Sequence, residues 1–203
     1  MPPRRLYDAG YRLSRMPWET GPRSELVSLV RDGVLSPARA IDLGCGTGAN
    51  SVFLATNGFD VTGVDFSGVA LAKAAKAAET AGVVVEFVQD DLTALRHVSG
   101  PFDLLVDYGT LDDLSMKDRD RYVRNVIPLA AAGGRFLLWC FQWPTRRRDR
   151  WTGFRPMAPG EVALRFGQDF VIEQIVNTEP RMRRLIPGVA AYLMTRRMWR
   201  DTP

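Results

Sequence analysis

The sequence predicts an α/β fold: a doubly wound, seven-stranded sheet, mostly parallel, with an antiparallel C-terminal strand. Two observations predict it. Between residues 40 and 141, apolar β-branched runs alternate with helix-forming runs in the order β-α-β-α-β-α-β-α-β. Such alternation calls for parallel strands with helices covering both faces of the sheet. Beyond residue 160 the pattern changes to a helix and two strand-like segments joined by a Pro-containing connection, the pattern of a terminal antiparallel pair.

The elements follow in order. Residues 1–23 are rich in Arg, Pro and aromatics (Tyr7, Tyr11, Trp18) and read as an N-terminal arm with one short helix; residues 24–203 read as one domain without a dividing linker. Ser24 precedes Glu25 to Val30, a helix with apolar residues at helical spacing and a serine cap. Ala40 to Leu43 is strand one and runs into glycines; residues 49–57 are helical; Val61 to Val64 is strand two, ended by Asp65. The Ala/Lys stretch 69–81 is strongly helix-forming, and Gly82 stops it. Val83 to Val88 is strand three, followed by a short helix and then strand four at Phe102 to Val106. Asp118 to Ala132 is a helix that Pro128 shortens or kinks and Gly133-Gly134 ends, before strand five at Arg135 to Phe141. Residues 144–160 form a Pro/Arg/Gly-rich loop, long for a compact domain and suited to a lid or a binding loop. Glu161 to Phe166 is a helix, and Phe170 to Thr178 and Val189 to Arg196 are the last strands.

Bulk properties narrow the class. A chain of 203 residues, 46% hydrophobic and 25% charged, suits one globular domain with its own core. No apolar run approaches the roughly 20 residues of a membrane span, and the charged N-terminus lacks the apolar stretch of a signal peptide. Two cysteines make no disulfide framework, so a reducing, cytoplasmic setting is expected. A net charge of +4 is too small to point to nucleic acid by itself. The oligomeric state stays open, a homodimer included.

The most informative motif is Asp42-Leu43-Gly44-Cys45-Gly46-Thr47-Gly48, which follows strand one and opens a helix. Glycines there permit a tight turn and close approach of a ligand, and the amides of the turn are expected to face outward as donors. A plain strand–helix turn is the simpler alternative. Context favours a ligand site. Asp65 ends strand two, about 20 residues on, where an acid accepts from ribose hydroxyls. Strand three ends in Gln89-Asp90-Asp91-Leu92, where an acid accepts from an adenine amino group. Each aspartate alone is equally a helix cap. Together the three polar strand ends line one edge of the sheet, the carboxyl edge where such folds bind ligands.

Asp42 to Gly48 resembles the glycine motif of class I S-adenosylmethionine (SAM)-dependent methyltransferases, and the resemblance covers about residues 18 to 178. It implies a Rossmann-like fold with SAM as cofactor. Asp65 then holds the ribose with Phe66 beside it, and Asp90, Asp91 and Leu92 lie at the adenine. Gly44, Cys45, Gly46 and Gly48 run along the methionine part, and Asp42 approaches its ammonium end. NAD-dependent enzymes compete for this motif, but they space their glycines G-x-G-x-x-G, whereas this chain has G-x-G-x-G. Within the class, Pro17 to Gly21 and Phe102 to Leu111 resemble the small thiopurine and tellurite-resistance-type methyltransferases. Their N-terminal arm often folds over the cofactor, which makes Trp18 a lid residue or, equally, a core residue. That branch commonly carries histidines after strand four, where this chain has Asp112-Asp113. A looser similarity to mycobacterial sugar O-methyltransferases of methylmannose polysaccharide synthesis points to a saccharide acceptor.

Methyl transfer from a sulfonium needs alignment and exclusion of water, and an alcohol acceptor also needs a proton acceptor. The loop after strand four supplies candidates: Asp107 and Tyr108 at the strand end, Asp112 and Asp113 beyond. Asp107 also suits contact with the donor methyl region. Asp112 and Asp113 are equally helix caps or solvated charges. Their oxygens offer a Mg²⁺ site only if adjacent acids point the same way. His97, the single histidine, is expected at the opposite end of the sheet and is set aside; Cys45 is read as a packing residue and Cys140 as a buried thiol. Phe141, Gln142 and Trp143 follow strand five and suit either core packing at the sheet end or an aromatic wall of the acceptor site. The expected function is methylation of a small molecule or short saccharide at a hydroxyl. The competing readings are an RNA methyltransferase using Arg clusters at 146–150, 181–184 and 196–200, and a non-catalytic SAM binder.

Overall fold

The computed structural model describes residues 4–13, 16, 19, 21–143, 155–175 and 188–198. Helix α1 (Arg4–Leu13) and helix α2 (Ser24–Arg31) precede β1 (Arg39–Leu43), α3 (Ala49–Thr56), β2 (Asp60–Asp65), α4 (Gly68–Ala81) and β3 (Glu86–Gln89). Then come β4 (Phe102–Tyr108), α5 (Met116–Val126), a 3-10 turn (Ile127–Leu129), β5 (Ala130–Phe141), α6 (Glu161–Phe166), β6 (Phe170–Gln174) and β7 (Val189–Arg196).

The seven strands form one sheet in the order β3-β2-β1-β4-β5-β7-β6. β1 pairs in parallel with β2 and β4, β2 with β3, and β4 with β5. β7 runs antiparallel between β5 and β6. The sheet is thus mostly parallel with one reversed strand, the last in sequence.

Strand polarity follows from burial. β1 reads eBBBB and β4 reads BeBBBB before its half-buried Tyr108, so both faces are covered, as a parallel sheet requires. One face carries Ile41, Leu105, Phe136, Leu138, Tyr122 of α5 and Phe166 of α6. The other carries Ala40, Val61, Leu104, Val106, Leu137, Leu26 of α2 and Leu54 of α3. α4 begins at a real cap, because Ser67 Oγ accepts from the Ala70 amide at 3.2 Å, and it ends where Gly82 turns left-handed.

Four local expectations change. The segment between β3 and β4 holds turns and no helix: Asp90 gathers the amides of Asp91, Arg96 and His97, and so organises a compact loop instead. The helix expected over 118–132 starts at Met116, capped by Ser115, and stops at Val126 before the 3-10 turn that contains Pro128. Gly133-Gly134 lies inside β5 rather than ending a helix. A Cβ at Gly134 would meet the carbonyl oxygens of Ala131 and Phe102 at 2.9 and 3.1 Å, so glycine lets β5 press onto β4 where their register shifts. Ser24 is the first helical residue and not the cap; Arg23 precedes it in extended conformation.

Candidate active site

The carboxyl ends of β1, β2 and β4 lie side by side, and each carries a buried aspartate in its last two residues: Asp42, Asp65 and Asp107. Asp42 accepts from Ser51 Oγ at 2.6 Å. Burial pushes its carboxyl up to about 6, against the Ser51 hydrogen bond and with help from the field of Asp65. Asp65 accepts from the amides of Gly46 at 2.9 Å and Ser67 at 2.8 Å.

The glycine turn is built differently from expectation. The amides of Gly44 and Cys45 donate inward to the Val64 carbonyl, that of Gly46 to Asp65, and that of Gly48 to the Cys45 carbonyl. They do not face outward, because β2 lies directly beside the turn. Gly44 has φ +73°, and a Cβ there would lie 2.0 Å from Thr110 Oγ1, so glycine permits the post-β4 loop to close onto the turn. Thr110 Oγ1 in turn donates to the Leu43 carbonyl at 3.1 Å. Gly48 caps α3 in the left-handed conformation. The Cys45 thiol is pushed well above its usual range by burial and by the fields of Asp42 and Asp65, which suits packing and not nucleophilic attack.

Asp107, fully buried, accepts from the amides of Thr110 at 2.8 Å and Leu111 at 3.2 Å and from the Tyr122 hydroxyl at 2.5 Å. Burial raises its carboxyl to about 7 despite these bonds. It thereby shapes the loop that carries Asp112 and Asp113. Asp112 is also buried. Its Oδ2 accepts from the Phe141 amide at 3.0 Å, and among the described residues its Oδ1 has no hydrogen-bond partner. Burial first, then the field of Asp107, pushes Asp112 to about 7, against the Phe141 hydrogen bond. Arg119 on α5 fixes this loop from behind: Nε donates to the Leu111 carbonyl at 3.2 Å and Nη2 to the Asp112 carbonyl at 2.7 Å, while Nη1 pairs with Glu161 of α6 at 3.1 Å.

The arm crosses this edge. Tyr7 donates to Asp113 and meets Phe66 edge-on with centroids 5.3 Å apart. Ser67 donates to Asp8. A Cβ at Gly46 would lie 3.2 Å from the Tyr11 hydroxyl. Burial, followed by the hydrogen bond to Asp113, raises the Tyr7 phenol far above its usual range. Trp18 lies outside the described residues, as do residues 144–154 and the arginines at 146–148, 150, 181, 183, 184 and 200.

Tyr108 stacks on Trp139 of β5 with centroids 5.1 Å apart and planes 12° from parallel, and the Arg23 guanidinium lies 4.7 Å from the Tyr108 centroid. Its hydroxyl donates to Glu25 of α2, and burial and that partner raise its ionisation far out of range. Phe141 meets Trp139 at 5.0 Å.

The remaining candidates separate. Three backbone amides outweigh the burial of Asp90 and hold its carboxyl below its usual range. Asp91 is exposed and accepts from the Thr93 amide and hydroxyl at 2.8 and 2.7 Å. Leu92 is a core residue. The His97 amide is at Asp90, so the residue sits near the carboxyl edge and not at the opposite end as expected; its side chain is exposed. Asp112 and Asp113 diverge, one toward Phe141 and the other toward Tyr7, and among the described residues no metal-holding group of three or more His, Cys, Asp or Glu exists. These residues do not fit Mg²⁺. Among them, too, no helix is long and apolar enough to cross a membrane.

Sequence reasoning did not reach Ser51, Thr110, Arg119 and Tyr122, nor the pairing of Arg23 and Glu25 with Tyr108. Thr110, three residues after Asp107, carried a local turn signal; the others act across the tertiary structure.

Known proteins share these features. Residues 40–134 match the family model for the methyltransferase domain. The chain is 25% identical over 145 residues to the 2-heptyl-1-hydroxyquinolin-4(1H)-one methyltransferase of Mycobacteroides abscessus, a match covering 67% of this chain and 63% of that protein. The match thus spans less than two thirds of that relative. The fold of the chain resembles the N-methyltransferase NodS from Bradyrhizobium japonicum WM9 bound to S-adenosyl-L-homocysteine (SAH), with a TM-score of 0.77 at 16% identity over 95% of this chain and 97% of that one. It also resembles the 1,6-didemethyltoxoflavin-N1-methyltransferase of Burkholderia thailandensis, with a TM-score of 0.73 at 19% identity over 96% and 87%.

The residues present fit SAM. SAM brings a sulfonium and an ammonium, and the edge it would occupy holds three buried carboxylates. Among the described residues no ion pair neutralises Asp42 or Asp107, and buried charge is stable only when compensated. A pyrophosphate cofactor fits worse, since the turn's amides are spent inward. Residues 40–134 match the methyltransferase-domain family model, and the chain has the fold of the class I SAM-dependent methyltransferases.

Proposed function

We propose that this chain transfers a methyl group from SAM to a hydroxyl of a small molecule. The observation that supports this reading best is Asp112 Oδ1, a buried carboxylate oxygen that among the described residues has no partner and that lies, with the edge of Trp139, around Gly109. SAM, when bound, supplies a methyl group already activated on a positive sulfur. The chain's residues do the rest. Asp42 and Asp107 supply negative charge along the cationic part, and Asp65 offers oxygens to the ribose. Asp107 holds the loop, and Asp112 takes the proton from the acceptor hydroxyl. Asp113 and Tyr7 fasten the arm, so that α1 excludes water from the edge. Tyr108, with its hydroxyl committed to Glu25, lines the acceptor side.

A sugar or short methylated mannoside is the acceptor suggested by the looser sequence resemblance. The Mycobacteroides relative is named for a hydroxyquinolinone, which brings an aromatic acceptor within the same reading. The test is transfer of labelled methyl from SAM to a panel of hydroxylated small molecules, with bulk RNA in parallel. Label on a small molecule supports the reading. Label on RNA alone overturns it. SAM binding with no turnover on any acceptor leaves a non-catalytic binder.

A further inference from the structure

We infer that the acceptor is a flat aromatic compound carrying a single reactive hydroxyl, held against Tyr108, Trp139 and Phe141 with that hydroxyl on Asp112 Oδ1. The inference rests on the methyltransferase reading above and names its substrate class.

Three features of the edge between β4 and β5 carry it. First, half-buried rings are gathered there: Tyr108 and Trp139 are register partners on adjacent strands and stack, and Phe141, two residues on along β5, meets Trp139 edge-on. Aromatic rings favour stacked or edge-to-face neighbours beyond the gain from burial alone, so a further flat ring extends this cluster. Second, Asp112 reaches the cluster. A Cβ at Gly109 would lie 3.7 Å from Trp139 Cζ3 and 3.8 Å from Asp112 Oδ1, so the carboxylate oxygen and the edge of the indole flank the same small space.

Third, polar atoms described at these rings are already engaged. The Tyr108 hydroxyl donates to Glu25, Gln142 Oε1 accepts from Tyr192 at 2.6 Å, and Asp112 Oδ2 accepts from Phe141. Among the described residues Asp112 Oδ1 is the one buried side-chain oxygen of this cluster without a partner. A saccharide buries several hydroxyls, each of which costs free energy unless it is hydrogen-bonded. A ring system with one hydroxyl needs one such partner.

The chemistry agrees. The aromatic oxygen takes the methyl group as the carbon–sulfur bond breaks; the electron pair of that bond stays on sulfur, leaving a thioether, and the hydroxyl proton passes to Asp112 Oδ1. A carboxylate held near 7 is a competent acceptor for a phenol, which ionises at about 10. An aliphatic hydroxyl ionises near water's ~15.7, and so wide a gap makes proton transfer far less effective.

The experiment uses the whole chain saturated with SAH and follows binding of phenol, 2-naphthol, 7-hydroxycoumarin and methyl α-mannoside by calorimetry, with labelled methyl transfer from SAM measured in parallel. The expected result is binding of at least one aromatic hydroxyl at least tenfold tighter than the mannoside, with label on its oxygen. Trp139→Leu weakens that binding tenfold or more while SAH affinity stays within twofold. If SAH binds but none of the three aromatics binds or takes label, or if the mannoside is preferred, the inference is overturned and the proposed function stands. If SAH does not bind, the proposed function is lost and the inference with it.

Discussion

The Tyr122 hydroxyl donates to Asp107 Oδ2 at 2.5 Å, joining the middle of α5 to the end of β4 inside the core. Removing that hydroxyl leaves one oxygen of a buried carboxylate with a donor fewer. Tyr122→Phe should therefore cost about 1–3 kcal/mol, read as a lower urea midpoint at unchanged slope. Circular dichroism should stay native, since the ring keeps its place.

Asp112 should govern the pH dependence of turnover. Its carboxyl is raised to about 7, so kcat/KM should climb as pH approaches 7 and level off above it. Asp112→Asn should lose about 10²–10⁴-fold in kcat and abolish that limb. Stability gives an independent sign. A carboxyl raised in the folded state contributes stability that is fully present below about 4 and is lost as pH rises through about 7. Asp112→Asn should therefore gain on the natural chain as pH rises from about 4 to about 7, by at most ~1.4 kcal/mol for each pH step of one. A constant difference across that range would assign the titration to another group.

Tyr7 fastens α1 to Asp113 across the site. Tyr7→Phe should speed SAH release several-fold in stopped-flow displacement, with a change in melting temperature of no more than a few degrees. Equal release rates would show that the arm does not close over the cofactor.

Gly44 is required by its neighbour as well as by its φ of +73°. Gly44→Ala should weaken SAH binding at least tenfold, because Thr110 must move and the post-β4 loop with it. Adding Thr110→Ala should restore part of the affinity, leaving the backbone cost of roughly 1 kcal/mol. No recovery in the double variant would place the whole effect in the backbone.

Arg119 and Glu161 form a buried ion pair between α5 and α6. Arg119→Met should destabilise by about 3–5 kcal/mol, since Glu161 loses one of its cationic partners inside the protein. Thermal unfolding checks it, and loss of the two carbonyl bonds to Leu111 and Asp112 should also lower kcat.

The sequence by itself determined the order of the strands, the reversed last strand and the row of acids at strand ends, though not the turns that replace a helix between β3 and β4. These follow from local periodicity and from glycines that punctuate it, as at Gly44 to Gly48 and Gly82. It could not assign the acids their roles. Asp90 and Asp107 looked alike, each an aspartate at or just beyond a strand end, yet Asp90 collects three loop amides while Asp107 is sealed against Tyr122, fifteen residues away. Adjacent Asp112 and Asp113 parted for the same reason, one meeting β5 and the other the arm. Only the tertiary structure decided these matters, because desolvation and hydrogen bonding depend on which distant segments pack against a carboxyl, and no local pattern carries that information.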